Sequence, residues 1–392
     1  MRLHSASQQG NRRRVGGTSV LEKTGMEAGR YIFAGGGTGG HLFPGIAVAT
    51  ALRRFTPAAE ITFFTTHRDL DRQLLYRTSF HRVVQSVRPF SSRPWRWPRF
   101  WFHWRRSVFR ARQFLLEHTP RAVLGLGGYA AGPAVVAASS LGIRTAILNP
   151  DAIPGRANRY LARRSALVVL QWDCSRKSFN DRTTCITLGC PIRDGFDDVD
   201  PGAARARFGL DPHRPVLVVT GASQGARTLN LAMTQVWPDF LRAHPEWQLL
   251  HLTGAADEST VRHAYASAGV AANVVAFTHE MADALSAADA VVSRAGASTL
   301  AELTVVARPS ILLPYPYHRD QHQLANARVL ADAGAALIVE DRRAPHANRD
   351  RLRKALERVA DAPTRNTMAG AARKLARPNA ARDVAQWLAN ED

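Results

Sequence analysis

Residues 35–41 of the chain, GGGTGGH, combine five glycines, one hydroxyl group and one imidazole. An apolar run precedes them, and a helix is predicted to begin near Phe43–Pro44, because proline suits the first helical turn. Glycines at such a point allow backbone amides to approach a phosphate at the positive end of the helix. His41, at the edge of the loop, has a side chain that exchanges protons near neutral pH. The stretch therefore indicates a phosphate-binding loop with a titratable group beside it.

A nicotinamide-dinucleotide site is one alternative for this loop. Gly35, Gly37 and Gly40 match the G-x-G-x-x-G template of dinucleotide-binding enzymes. Such an enzyme also needs an acidic residue at the end of the second strand, where it holds the ribose hydroxyls. The nearby acid, Glu60, precedes that predicted strand, which ends at Thr65–Thr66. The pattern therefore disfavours an oxidoreductase.

Two further glycine loops follow predicted strands, GLGGYAAGP at residues 125–133 and GASQGAR at residues 221–227. A single loop of this kind is explained equally well by a tight turn between a strand and a helix. Three loops at the carboxyl ends of parallel strands favour ligand binding, because open α/β sheets bind their ligands at that edge. In the third loop, Ser223 adds a hydroxyl donor that suits a diphosphate oxygen.

Polar groups that suit a nucleoside and a sugar lie further along the chain. The stretch SRAGASTLAEL predicts a strand end, a turn at Gly296 and a helix capped by Ser298 or Thr299. Glu302 is expected in the first helical turn, where it either accepts hydrogen bonds from a ribose diol or completes a capping box with Thr299. The next loop, PYPYHRDQHQ, leads into a helix whose entrance carries polar side chains able to contact a sugar: Asp320, Gln321, His322 and Gln323.

Short β-branched runs alternate with longer amphipathic stretches, which predicts an α/β protein with parallel sheets and helical crossovers. The predicted strands are Tyr31–Ala34, Ile61–Thr65, Ala122–Leu126, Thr145–Leu148, Ala166–Leu170, Val216–Thr220, Gln248–Leu252, Asn273–Ala276, Ala290–Ser293, Ser310–Leu313 and Ala336–Val339. Residues 189–202 are rich in proline, glycine and acids and predict a linker. Similar strand, glycine loop and helix starts on both sides of it indicate two doubly wound domains in tandem.

The chain is strongly basic, with 52 Lys+Arg against 32 Asp+Glu and a formal net charge of +20. Residues 1–150 carry +16 of this charge, which suits nucleic acid, an anionic membrane or a phosphorylated substrate. Residues 1–28 are predicted to form a disordered basic tail. The three cysteines lack C-x-x-C spacing, so they predict neither a disulfide framework nor a zinc site and fit a reducing cytoplasm. No run predicts a signal peptide or a transmembrane helix.

Residues 88–112, RPFSSRPWRWPRFWFHWRRSVFRAR, contain eight arginines, four tryptophans and no acid. Aromatic and arginine side chains in this mixture can stack on bases and neutralise phosphates in nucleic acid. They can equally lie at a membrane surface, with tryptophan at headgroup depth and arginine on anionic lipid. The membrane is the favoured interpretation, and the residues expected to contact it are Trp95, Trp97, Phe100, Trp101, Trp104, Arg105 and Arg106.

From residue 30 to the C-terminus, an ordered set of motifs resembles the MurG family of bacterial peptidoglycan glycosyltransferases. The motifs are GGGTGGHLFPGIAVA, GLGGYAAGP, AIPGRANR, GASQGAR, RAGASTLAEL and HQLANA, in the family's order and at similar spacing. The resemblance implies a GT-B fold, in which two Rossmann-like domains face a central cleft. It also implies inverting transfer of N-acetylglucosamine (GlcNAc) from UDP-GlcNAc to the 4-hydroxyl of the N-acetylmuramyl sugar (MurNAc) of lipid I. The product would be lipid II, made by a peripheral protein at the cytoplasmic face of the cell membrane.

The resemblance also assigns donor-site roles. Thr38, Gly39 and Gly40 line the donor sugar or diphosphate, while Thr278 lies at the uracil position. The other assignments are phosphate contacts for Arg193 and Ser223, nucleoside contacts for Ala297, Ser298, Thr299 and Glu302, and a sugar contact for Gln323. One segment departs from the family's usual His-Glu-Gln-Asn, because this chain has Leu148, Asn149, Pro150 and Asp151. Asp151 takes the place of a donor-contacting asparagine and can still accept a sugar hydroxyl.

In such a transfer His41 is the candidate general base, although a histidine there can also serve only to hydrogen-bond a loop carbonyl or the acceptor. Loop amides and Arg193 would stabilise the departing diphosphate, so no metal or other cofactor is expected, and the Asp69–Asp71 and Asp198–Asp200 pairs are assigned none. The expected domains are 29–190, joined again by 378–392, a linker at 191–202, and 203–377. Two alternatives stay open: a related GT-B enzyme acting on another glycolipid, and a non-enzymatic basic nucleic-acid-binding protein.

Overall fold

The computed structural model describes residues 29–88, 90, 93–221, 225–317 and 320–390. Over these residues the strands are β1 Arg30–Ala34, β2 Glu60–Thr65, β3 His81–Val84, β4 Ala122–Gly125, β5 Arg144–Asn149, β6 Leu167–Leu170, β7 Cys185–Thr187, β8 Val216–Thr220, β9 Gln248–Leu252, β10 Asn273–Val275, β11 Ala290–Ser293, β12 Ser310–Leu312 and β13 Ala336–Ile338. The predicted tail, residues 1–28, lies outside the described residues.

The α-helices of the same residues are α1 Gly39–Phe55, α2 Asp69–Tyr76, α3 Trp97–His118, α4 Gly128–Ser140, α5 Arg156–Ala162, α6 Pro201–Arg207, α7 Arg227–Ala243, α8 Glu258–Ser267, α9 Met281–Ala287, α10 Ala297–Val305, α11 His322–Asp332, α12 Pro345–Ala360, α13 Ala362–Leu375 and α14 Ala380–Ala389. Two short 3-10 helices, Pro94–Arg96 and Asp173–Ser178, accompany them. No described helix combines the length and the apolar character that crossing a bilayer requires.

The strands form two separate parallel sheets with helical crossovers. Over the described residues, the first sheet has the order β3-β2-β1-β4-β5-β6-β7 and the second the order β10-β9-β8-β11-β12-β13. In each sheet the first central strand, β1 or β8, pairs in parallel with strands on both sides. The order reverses at these strands, which creates the crevice where doubly wound sheets bind ligands.

The central strands are apolar along their length because helices cover both faces of each sheet. Phe33 on β1 and Val218 on β8, for example, are fully buried. Each sheet therefore separates two hydrophobic clusters, one beneath each layer of helices. Two such three-layer units confirm the predicted α/β class.

The eleven predicted strands are all present, with ends that differ by one residue at most. Two strands were missed, β3 with the sequence HRVV and β7 with the sequence CIT. Both are short and lie at the outer edges of the first sheet. An edge strand is paired and covered on fewer sides, so its sequence lacks the long apolar run by which the central strands were recognised.

Two helix starts differ from the prediction. Helix α1 begins at Gly39 and not near Phe43–Pro44, so the proline is its sixth residue. Helix α10 begins at Ala297 with Gly296 as its N-cap, and neither following hydroxyl residue caps it. Glu302 consequently lies in the second turn, where it cannot complete a capping box.

The C-terminal helix α14 lies on the first sheet's layer, against α1. Val384 and Leu388 are buried in the same hydrophobic cluster as Leu42 and Val48 of α1. The Arg144 guanidinium stacks 3.9 Å from the ring centre of Trp387 and donates to the Asn390 carbonyl. The end of the chain thus contributes to the first unit after the second sheet is complete.

Candidate active site

The first glycine loop is held in shape by a buried carboxylate. Asp71, which is fully buried on α2, accepts a hydrogen bond from the Gly37 amide at 2.8 Å. Its other oxygen accepts from the backbone and hydroxyl of Thr66 at 3.0 and 2.6 Å. A Cβ on Gly36 would lie 2.5 Å from Asp71 Oδ2, and one on Gly35 would lie 2.6 Å from Leu126 Cβ. Some of these glycines are therefore required by packing within the protein, and not by a ligand.

The second glycine loop makes room for the imidazole of His41. Cβ atoms on Gly127 and Gly128 would lie 3.2 Å from His41 Cδ2 and 3.1 Å from Cε1. Both glycines have positive φ, +98° and +72°, a conformation that favours glycine. Nδ1 of His41 lies 3.0 Å from the Thr38 hydroxyl. The ring is thus wedged between two glycine loops at the carboxyl ends of β1 and β4.

Burial lowers the pKa of His41 below its ordinary value of 6.5. The Asp151 carboxylate, the backbone of Gly36 and the Asp71 carboxylate oppose this shift in that order of strength, without reversing it. The imidazole is therefore uncharged at neutral pH. In that form it has one nitrogen free to accept a proton.

The start of α10, in the second unit, contacts the first glycine loop directly. Ser298 donates a hydrogen bond to the Gly40 carbonyl at 3.4 Å. That carbonyl lacks its usual helical donor, because the residue four positions on is Pro44, which has no N–H. Beside it, Gln171 at the end of β6 donates to the Ala297 carbonyl at 3.1 Å. These contacts bring the carboxyl edges of the two sheets face to face across a cleft.

Glu302 and Arg193 face each other in this cleft. Burial raises the pKa of Glu302 to about 7, and the nearby Arg193 charge opposes the rise. The Arg193 guanidinium lies 4.7 Å from the ring centre of Phe43, and its Nε is buried with no hydrogen-bond partner among the described residues. An arginine with an unused donor suits an incoming phosphate oxygen.

A buried thiol, Cys190, lies beside the same carboxylate, and the sequence interpretation missed it. Burial raises its pKa to about 12, and Ser298 is its hydrogen-bonding neighbour. It therefore stays a neutral thiol that fills space behind the first turn of α10.

A reciprocal pair of hydrogen bonds joins the loop after β5 to helix α11. Asn326, which is fully buried, donates from Nδ2 to Asp151 Oδ1 at 2.9 Å and accepts from the Ala152 amide at 2.8 Å. Asp151 itself is half-buried. The carboxylate that departs from the family pattern is thus fixed by the opposite unit.

The other described donor residues of the second unit lie in loops and in first helical turns at the carboxyl edge of the second sheet. Gln323 accepts from the amides of Ala295 and Tyr315 at 3.2 and 2.9 Å, which directs its NH₂ group away from those backbones. Thr278 follows β10 and accepts from the Glu280 amide at 3.0 Å. Thr299 is half-buried in the first turn of α10. Ser223 lies outside the described residues.

The aromatic and arginine-rich segment forms helix α3 and the turn before it. Ser107, Ala111 and Leu115 are its buried stripe, spaced every four residues. Trp95 and Trp101 are 71% and 52% exposed on the outer side. The outer side also carries Trp97, Arg105 and Arg106 and two exposed rings that the interpretation did not name, Phe102 and Phe109.

Two of the predicted membrane residues, Trp104 and Phe100, are less exposed than the others and pack against neighbouring side chains. A Cβ on Gly132 of α4 would lie 2.3 Å from Trp104 Cη2, so this indole anchors α3 to the body of the protein. Phe100 is half-buried and stacks on Trp104 at a centroid distance of 5.9 Å. Trp104 is half-buried and packs against α4, and its contact with the membrane stays a prediction.

Within the described ranges, no three His, Cys, Asp or Glu side chains are grouped as a metal site. The two Asp-x-Asp pairs have other surroundings. Asp69 is ion-paired with Arg72 at 3.1 Å on the surface, and Asp200 caps α6 through the Ala203 amide at 2.7 Å.

Models of two domains of one protein family match the chain. The glycosyltransferase family 28 N-terminal domain matches residues 31–169, and the C-terminal domain of the same family matches residues 216–386.

Curated relatives and a solved structure give a consistent comparison. A Thermodesulfovibrio yellowstonii protein is 36% identical over 335 residues, covering 85% of this chain and 90% of its own. A Prosthecochloris aestuarii protein is 36% identical over 364 residues, covering 91% and 98%. Both are named UDP-N-acetylglucosamine--N-acetylmuramyl-(pentapeptide) pyrophosphoryl-undecaprenol N-acetylglucosamine transferase. The crystal structure of Acinetobacter baumannii MurG superposes with a TM-score of 0.72 at 26% identity, covering 92% of this chain and 99% of that one.

Proposed function

Because the chain belongs to glycosyltransferase family 28, we propose that it transfers GlcNAc from UDP-GlcNAc to the 4-hydroxyl of the MurNAc sugar of lipid I, which gives lipid II. The fold is GT-B, with two Rossmann-like units facing one cleft. The observation that carries the proposal is the contact of the His41 loop with the start of α10 across that cleft. It brings a proton acceptor next to the region expected to hold an activated sugar.

The donor is held mainly by the second unit. The Glu302 carboxylate accepts hydrogen bonds from the ribose hydroxyls, and Thr278 lies against the uracil. Arg193 and Ser223 bind the diphosphate, together with the amides of Gly39 and Gly40 at the N-terminus of α1, where the helix dipole favours negative charge. The remaining donor contacts come from Thr38, Asp151, Ala297, Ser298, Thr299 and Gln323.

The chemical step is an in-line displacement at the anomeric carbon of GlcNAc. The acceptor oxygen forms a bond to this carbon while the bond to the diphosphate oxygen breaks, so the configuration inverts. His41 takes the proton of the acceptor hydroxyl, and UDP leaves with the bonding electron pair. Arg193 and the loop amides stabilise the charge that develops on the diphosphate. The imidazolium then releases its proton to solvent.

The acceptor is anchored in lipid, so the enzyme works as a peripheral protein at the cytoplasmic face of the cell membrane. The exposed side of α3 meets this surface, with Trp95, Trp97 and Trp101 at headgroup depth and Arg105 and Arg106 on anionic lipid. Helix α3 belongs to the basic first unit, which binds the acceptor. Nucleic acid is not a partner in this scheme.

The division of labour follows the expected domain bounds. Residues 29–190 with 378–392 form the acceptor and membrane unit, residues 203–377 form the donor unit, and residues 191–202 join them. Arg193, at the start of the joining segment, acts on both units, since its guanidinium lies over Phe43 of α1 and its charge lowers the pKa of Glu302 of α10.

Incubation with radiolabelled UDP-GlcNAc and a short-chain lipid I analogue tests this function. The expected result is UDP release matched by label in a lipid-linked disaccharide. Leu148 is buried where the family usually has a polar residue. Because this departure favours the alternative of a different acceptor, a second arm of the experiment offers other glycolipids. Transfer only to one of those would support the related-enzyme alternative, and affinity for nucleic acid without UDP binding would overturn the enzyme assignment.

A further inference from the structure

The loop that carries Asp151 passes directly beside the His41 ring. The Leu148 carbonyl lies 3.6 Å from the point where a Gly127 Cβ would be, and His41 Cδ2 lies 3.2 Å from the same point. Asp151 follows three residues after Leu148, and its Oδ1 accepts a hydrogen bond from Asn326. Its Oδ2 has no hydrogen-bond partner among the described residues. A half-buried carboxylate is thus fixed at one oxygen, with the other left unused near the candidate base.

We propose that Asp151 is a positioning residue for His41, and that Asn326 of the opposite unit holds it in place only when the cleft is closed. The proposal rests on the function proposed above. As His41 takes the acceptor proton, the Asp151 charge stabilises the imidazolium that forms. The strength of the base is thereby linked to domain closure.

The other charged groups near His41 cannot stabilise the imidazolium as effectively as Asp151 does. Asp71 on α2 already accepts hydrogen bonds from Gly37 and Thr66 with both of its oxygens. Arg68, just before α2, donates to the Gly37 carbonyl at 2.6 Å, and because it is a cation it cannot serve as the counter-charge of an imidazolium. Of the groups that raise the pKa of His41, Asp151 has the largest effect.

Helix α11 provides the link to the donor. Gln323, expected to contact the donor sugar, lies in its first turn, and Asn326 follows three residues later on a neighbouring position of the helix. A donor sugar that pulls α11 toward the first unit therefore also brings Asn326 to Asp151. Closure on the donor and activation of the base become one movement.

The variant Asp151→Asn tests the charge alone, since its amide oxygen can still accept from Asn326. We expect kcat at saturating substrates to fall about tenfold, the factor for 1.36 kcal/mol of transition-state stabilisation. We also expect the acidic limb of the kcat profile to move to lower pH by about one unit, because the imidazolium loses its counter-charge. Asp332→Asn removes the same charge from the exposed end of α11 and is expected to change neither quantity.

Asn326→Ala removes the interdomain pair while keeping the carboxylate. It is expected to lower kcat in the same way, and the double variant should lose less than the product of the two single effects, since both act through one contact. Calorimetric UDP affinity near wild type shows that each variant is folded.

Two results would overturn the proposal while wild-type transfer to lipid I still upholds the function. One is an Asp151→Asn enzyme whose pH limb and kcat match wild type and whose KM for UDP-GlcNAc alone rises, which would make Asp151 a simple sugar contact. The other is strict multiplicativity of the two variants. A wild-type protein without transferase activity would instead remove the proposed function itself.

Discussion

His41 and the two glycines beside it act as one unit. The ring occupies the space that side chains at Gly127 and Gly128 would fill. Its fixed orientation and lowered pKa leave a neutral nitrogen at the edge of the cleft. In the proposed mechanism the first glycine loop therefore serves two purposes, since it exposes amides to the diphosphate and also holds the base in position.

Replacement of His41 by alanine is expected to reduce kcat by ~10²–10⁴, the usual contribution of a general base. UDP affinity should stay near wild type, because in the proposed mechanism the ring acts on the acceptor hydroxyl and not on UDP. Steady-state transfer assays and calorimetry with UDP measure the two quantities. His213→Ala, which removes an exposed histidine of the second unit, is the matched control. Wild-type turnover in His41→Ala would remove the residue from the mechanism.

Glu302 gives a second prediction at this scale. Burial raises its pKa to about 7, compared with 4.5 for the ordinary group. The free energy of unfolding of the wild type should therefore decrease as pH rises from about 4.5 to about 7, because the buried carboxyl group must ionise. Glu302→Gln should therefore unfold at a higher temperature than wild type at pH 8 and at a similar temperature at pH 4. UDP affinity should fall in the variant, because an ionised carboxylate accepts ribose hydrogen bonds better than an amide does.

Thermal unfolding at the two pH values and UDP titration at pH 8 measure these effects. Asp332→Asn serves again as the surface control. Equal stability of Glu302→Gln and wild type at pH 8 would contradict the raised pKa of Glu302. Unchanged UDP affinity would contradict the placement of its carboxylate against the ribose.

Residue types and order along the chain predicted His41, Glu302 and Gln323 as candidate site residues. The same information did not predict Asp71 as the brace of the glycine loop or Asn326 as the partner of Asp151. Those contacts join residues 34 and 175 positions apart. A local sequence pattern cannot predict such a contact, because the two residues come together only when the sheets and helices pack.

At the scale of elements, we predict different roles for the two faces of helix α3. Trp101 is exposed, whereas Trp104 fills the space above Gly132. Trp101→Ala should weaken binding to anionic vesicles and leave the free energy of unfolding within about 0.5 kcal/mol of wild type. Trp104→Ala should instead lower the free energy of unfolding by about 1–3 kcal/mol, because it removes a half-buried ring that packs on Gly132.

Vesicle co-sedimentation and urea unfolding separate the two effects. Binding of wild-type protein should also decrease as salt rises, since arginines contribute to it. Equal vesicle binding by wild type and Trp101→Ala, or binding that ignores both salt and anionic lipid, would contradict the membrane role of this face.

Strand positions were predicted almost completely, while helix starts were not. Central strands of parallel sheets are recognisable as apolar runs because both of their faces are covered. The start of α1 was misplaced because Pro44 was assigned to the first turn. In the structure the proline lies one turn further along the helix. Because it has no N–H, the Gly40 carbonyl accepts a hydrogen bond from Ser298 of the other unit instead.

At the scale of the whole molecule, function depends on two sheets whose carboxyl edges meet. The first unit contains most of the positive charge and the exposed aromatic helix, and the second contains the predicted nucleoside contacts. Helix α14 returns to the first unit and packs on α1. Ser298, Gln171 and Asn326 then supply the contacts that close the cleft.

A crystal structure of the UDP complex tests this arrangement most directly. We predict that the diphosphate lies between the N-terminus of α1 and the Arg193 guanidinium, with both ribose hydroxyls on the Glu302 carboxylate. UDP bound elsewhere, or bound in the cleft without contact to Arg193 and Glu302, would contradict the account.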